Sequence, residues 1–240
     1  MCPFELCSNW AWRSSRERNV CIFGENTNKY EVGVKGVNMN QQVEQILVVP
    51  REKLFDGKPI PHGFNNADLK GFIERIHQNA YFIDRPKAEN NPQLKQIIPY
   101  IIVTYQDKIY TLHRQTAQTE KRLHNKYSIG VGGHINPVAD NQIIGIIEKG
   151  LERELHEELS VKCDYDYELI GYINDDTDDV GKVHFGMVYR LIVKDEKAVS
   201  VAEKDMMIGQ FMSLPELEKL YHSLETWSQL VFTDHKNKAA

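Results

Sequence analysis

The chain has 240 residues and sets 29 Lys and Arg against 34 Asp and Glu, a net charge of −5 with a pI near 6.0. That balance excludes a general nucleic-acid-coating surface and leaves room only for local basic pockets. No apolar run reaches the roughly eighteen residues a membrane span needs, and no basic segment followed by an apolar stretch suggests a signal peptide. Cys2, Cys7, Cys21 and Cys163 are too few and too irregular for a disulfide scaffold, and no C-x-x-C pair offers a zinc pattern. The cytoplasm is the expected compartment.

Residues 1–42 show no sustained helical or strand period. Two readings stay open there. Met39 could be the natural start, with the preceding residues an upstream in-frame extension. Alternatively, Val20-Cys21-Ile22-Phe23 and Val32-Gly33-Val34 form short strands of an N-terminal extension. Residues 43–95 read as a small α+β subdomain too short to stand alone. A strand is expected at 46–49. A helix capped by Asn66-Ala67-Asp68 then runs through Leu69, Phe72, Ile73 and Ile76, which have helical spacing. A strand at 80–83 leads into a polar loop at 84–92, rich in charges and turn formers.

The core domain, residues 96–240, opens with a hairpin of strands 97–105 and 109–114 about a turn at Asp107-Lys108. A loop at 115–125 precedes a strand at 127–131 and the glycine turn Gly130-Val131-Gly132-Gly133-His134. A helix is expected at 142–159, with Ile143, Ile144, Ile147, Leu151, Leu155 and Leu159 as its apolar stripe. Gly150 inside it costs about 1 kcal/mol relative to alanine and so implies close backbone packing. Strands at 167–173 and 182–193 flank an acidic loop at 174–181. That loop fails calcium-loop spacing and is expected to be a solvated connection. A last strand at 207–212 precedes a helix at 214–220, capped by Ser213 with Pro215 in its first turn. A final helix begins at 225–230.

The helix at 142–159 ends in Arg153-Glu154-Leu155-His156-Glu157-Glu158. Residues three and four apart share a helix face, so Glu154, Glu157 and Glu158 converge, and their repulsion needs an offset. A divalent cation is one; a solvated acidic face is the plainer alternative. Arg153 lies one turn before Glu157 and can orient it by a charge-assisted hydrogen bond. Glycine loop and acidic helix together resemble the Nudix box, G-x5-E-x7-R-E-U-x-E-E-x-G-U with U a bulky aliphatic residue. Gly133, Arg153, Glu154, Leu155, Glu157, Glu158 and Val161 match it. Three features depart from it. The first glutamate falls on Gly145, the late glycine is Ser160, and the stretch from Gly133 to Arg153 is six residues too long, which implies an insertion within 136–144. Glu148 is acidic and close by, but sits elsewhere on the helix.

The resemblance implies an α/β/α sandwich with a mixed sheet, and hydrolysis of a phosphoanhydride in a nucleoside diphosphate-linked or similar compound. It implies Mg2+ or Mn2+ held by Glu154, Glu157, Glu158 and the Gly133 carbonyl, with Arg153 orienting a carboxylate. Glu203 is a candidate base. Lys121, Arg122, His124 and His134 are candidate contacts to a small phosphorylated, nucleotide-like substrate, each with a plain surface or structural role as the alternative. His184 alternates with Val183 and Phe185, so it faces the cleft or solvent if they are buried. The missing glutamate supports a second reading, a Nudix-fold module that binds a nucleotide or regulates without turnover. A homodimer is the default assembly.

Overall fold

The computed structural model describes residues 43–115, 125–138, 143, 145–202 and 207–239. The readings made for residues 1–42 therefore lie outside the described residues. In chain order the elements are β1 (Gln45–Pro50), α1 (Arg51–Phe55), β2 (Gly63–Asn65), α2 (Leu69–Asn79), β3 (Tyr81–Asp84), α3 (Arg85–Glu89), β4 (Leu94–Tyr105), β5 (Lys108–Arg114), β6 (Tyr127–Ser128) and β7 (Val131–Gly132). There follow α4 (Ile146–Glu158), β8 (Leu159–Val161), β9 (Tyr165–Asn174), α5 (Asp179–Val183), β10 (His184–Val193), β11 (Val199–Val201), β12 (Met207–Ser213), α6 (Leu214–Lys219) and α7 (Thr226–Ala239).

One mixed sheet runs β12-β5-β4-β10-β9-β2, with β1 and β7 also paired to β4, β3 to β1 and β6 to β5. The β4–β10 pair is parallel and the other pairs are antiparallel. Parallel central strands are buried on both faces and read as continuous apolar runs, and ten of the twelve residues of β4 are buried. Side chains alternate across the sheet. Ile97, Ile101 and Val103 pack with Phe185, Met187 and Leu191 against Leu54, Phe72, Leu151 and Leu155 of α1, α2 and α4. Tyr100, Ile102 and Val188 pack on the other face with Leu217 of α6 and Val231 and Phe232 of α7. The expected α/β/α sandwich is the observed architecture.

Three local expectations change. The polar loop at 84–92 holds the short helix α3, because Pro86 suits the first helical turn. Asp68 does precede α2, but in a left-handed conformation without a capping bond. Its carboxylate instead binds Lys58 at 3.0 Å and Arg75 at 3.2 Å.

The acidic loop at 174–181 is solvated only in its middle: residues 177–180 are exposed, whereas Asn174, Asp175 and Gly181 are buried. Residues 179–183 form α5, capped by the Asp178 side chain accepting from the Gly181 N–H. The cause is Lys95 on β4, which is 0% exposed. Its ammonium donates to Asp176 Oδ1 at 2.8 Å and to the carbonyls of Gly181 and His184 at 2.9 and 3.1 Å. Arg51 also binds Asp176. Burial pushes the Lys95 pKa down to about 8 against the pull of Asp176. For Asp176 burial acts upward, but the bonds from Arg51 and Lys95 outweigh it and hold the carboxyl at about 2.

Candidate active site

Helix α4 begins after Gly145, whose φ of 75° lies in the left-handed region, where glycine is favoured and a side chain is strained. Ile143 lies outside the helix, and Gln142 and Ile144 lie outside the described residues, so the expected start at 142 moves inward. Gly145 is also the position where the Nudix box carries its first glutamate. A glutamate there would have to begin the helix in a strained conformation. Gly150 is packed as expected: a Cβ would come within 2.7 Å of Ile135 Cγ1. Ile135 accepts from the Leu47 N–H at 2.9 Å, and Asn136 binds Glu44 at 3.1 Å and the Gln45 carbonyl at 2.9 Å. The glycine loop is thus tied to β1 on one side and pressed onto α4 on the other.

At that contact Glu154 is 7% exposed, and its carboxylate lies against Gly133 so closely that a Cβ there would collide with it. Arg153 bridges the group. One guanidinium nitrogen donates to Glu157 Oε2 at 2.6 Å, and another donates to Glu154 and to the carbonyl of His134. Burial raises the Glu154 pKa, Arg153 opposes it, and the charges of Glu157 and Glu158 push it further up. Glu158 also acts on β5, where its charge adds to that of Glu225 in raising the pKa of the half-buried Arg114 against its burial. Arg114 itself donates to Glu225 at 2.5 Å.

These oxygen donors suit a hard divalent cation, and a buried carboxylate crowded by two others is the arrangement a cation would relieve. Among the described residues no three His, Cys, Asp or Glu side chains stand close enough to hold a metal as placed. Arg153 neutralises Glu154 and Glu157 instead.

His134, beside Gly133, turns to the sheet. Its Nε2 lies 2.8 Å from Gln96 Oε1 and 3.4 Å from His184 Nε2. Burial, with Arg85 and His184 adding to it, pushes its pKa down to about 4. Burial likewise lowers His184. Phe185 and Val183 are buried, and His184 points away from them to His134. Lys121, Arg122, His124 and Glu203 lie outside the described residues. Gln96, Lys95 and Arg114 carry no motif. The legible signal was two polar residues, Lys95-Gln96, opening a strongly apolar run, since a buried polar group is the informative exception.

No family model matches the chain. It is 34% identical to Protein YmaB of Bacillus subtilis (strain 168) over 201 residues, which cover 80% of this chain and 98% of that protein. The crystal structure of Tm1382, provisionally assigned as a Nudix hydrolase, matches at 32% identity with a TM-score of 0.68. That match covers 81% of this chain and 99% of Tm1382. With the loop-and-helix geometry in place, and a relative of that identity spanned almost end to end, the chain belongs to the Nudix hydrolase family.

Proposed function

We propose that the protein hydrolyses a phosphoanhydride bond in a nucleoside diphosphate-linked or similar compound, with Mg2+ or Mn2+ as cofactor. The observation that carries this reading is the Glu154 carboxylate, buried against Gly133 and flanked by Glu157 and Glu158. Glu154, Glu157, Glu158 and the Gly133 carbonyl would hold the cation. Such an ion neutralises phosphoryl charge and polarises a bound oxygen. Arg153 is a positioning residue, fixing Glu157 and Glu154 from the loop side. In the reaction a water oxygen bonds to phosphorus, the P–O anhydride bond breaks, and the water proton passes to a base, for which Glu203 is the candidate. Lys121, Arg122 and His134 are proposed to meet the substrate's phosphates, and residues 46–95 and the inserted loop 136–144 to shape its pocket. A cytoplasmic homodimer is the proposed state.

The test is phosphate release from a panel of nucleoside diphosphate derivatives, comparing the wild-type chain with Glu157→Gln. Loss of turnover on the order of 100-fold is expected, at the upper end of what disturbing a metal's surroundings does. Undiminished turnover would remove the metal assignment. Gly145, standing where the box has a glutamate, favours one second reading, a binding module without turnover. Ligand binding with no product from any member of the panel would establish it.

A further inference from the structure

His134 and His184 come from separate segments, the glycine loop and the first residue of β10, yet their Nε2 atoms are 3.4 Å apart. The rings meet tip to tip rather than stacked, with centroids 5.6 Å apart and planes at 51°. His184 Nδ1 lies 2.6 Å from the Val180 carbonyl. A carbonyl only accepts, so Nδ1 carries the proton and Nε2 presents a lone pair. A backbone carbonyl on the far nitrogen is the usual support of a metal-binding histidine. The Gln96 carboxamide closes the group, with Oε1 2.8 Å from His134 Nε2. Gln96 is 0% exposed, and its Nε2 has no hydrogen-bond partner among the described residues.

We infer that His134 Nε2, His184 Nε2 and Gln96 Oε1 form a binding site for one borderline divalent transition metal such as Zn2+ or Co2+, separate from the glutamate site. Two nitrogens each about 2.0–2.1 Å from a tetrahedral ion are about 3.3–3.4 Å apart, the spacing this pair already has. Binding requires the His134 proton to reside on Nδ1 and Gln96 Oε1, now 2.8 Å from His134 Nε2, to draw back by about half an ångström to tetrahedral spacing. Imidazole nitrogens select such metals, whereas the carboxylates of α4 suit Mg2+. Water or a phosphate oxygen completing the coordination would give the orphaned Gln96 amide an acceptor. Both backbones are held in place. The His184 carbonyl takes the Lys95 ammonium at 3.1 Å, and the His134 carbonyl takes Arg153, the residue that also bridges Glu154 and Glu157. The inference stands whether or not the chain hydrolyses a phosphoanhydride.

The test uses the full chain, stripped with chelator, held in excess Mg2+ and titrated with Co2+ while visible absorption is read. One equivalent with imidazole-type bands is expected. His184→Ala and His134→Ala should weaken it on the order of 10–100-fold, Glu157→Gln should leave it unchanged, and Gln96→Glu should tighten it. Equal binding in wild type and His184→Ala, or bands lost with Glu157→Gln, would overturn the site in favour of a hydrogen-bond relay. Circular dichroism reports the fold of each variant. If both alanine variants unfold, Gln96→Glu decides alone: tightening supports the site, and unchanged binding overturns it.

Discussion

Glu154 is the residue on which burial and charge act most directly in the acidic site. Its pKa is raised above 4.5 by burial and by Glu157 and Glu158. A raised folded-state value means that this group stabilises the metal-free fold fully below the unfolded pKa, and that the contribution is lost as pH rises through the folded one. Urea denaturation without divalent cation should therefore show Glu154→Gln gaining on the wild type as pH rises from 4 to 7. Excess Mg2+ should reverse the ranking. Gly133→Ala offers a second probe, because its methyl group would meet the Glu154 carboxylate. It should destabilise by about 1–3 kcal/mol, as overpacking does, and weaken Mg2+ binding measured by calorimetry.

At the scale of elements, α4 shows how a motif can be kept in half. The Arg153 to Glu158 turn was legible because 3.6-residue spacing fixes which side chains share a face. The first glutamate could not be placed, since only the backbone shows that Gly145 starts the helix at φ 75°. Gly145→Glu should therefore not restore a family-type site. It should lower stability by about 1–2 kcal/mol, the strain of a left-handed non-glycine residue, with no gain in Mg2+ affinity. Ser213 shows the opposite case. The capping box with Glu216, at 2.8 Å to the Ser213 N–H, was half visible in a Ser followed by a Pro-bearing turn. Local chemistry decides such a cap, so sequence suffices.

For the whole molecule, Lys95, Asp176 and Arg51 join β4, the β9–α5 connection and α1. Phe55 and Phe72 add ring contacts to Phe185 on β10 at 6.0 and 5.2 Å. Removing one partner of a buried pair strands the other. Asp176→Asn should destabilise by about 2–4 kcal/mol, somewhat less than for a fully enclosed pair because Asp176 is 30% exposed. With its folded pKa held at about 2, the Asp176 contribution is present above about pH 4 and lost as pH falls toward 2. Acid unfolding of the wild type should be steeper over that range than that of Asp176→Asn.

The amino-acid sequence by itself determined most of the strands, the acidic helix and the family resemblance, each from periodicity or spacing along the chain. The layer architecture was what that resemblance implied. Only the tertiary structure decided that the acidic connection at 174–181 folds inward onto Lys95, that Arg153 clasps the glycine loop, and that His134 meets His184 and Gln96. Those contacts join residues 19 to 86 positions apart. Their energies come from burial and charge pairing that exist only once β4 and β10 lie side by side.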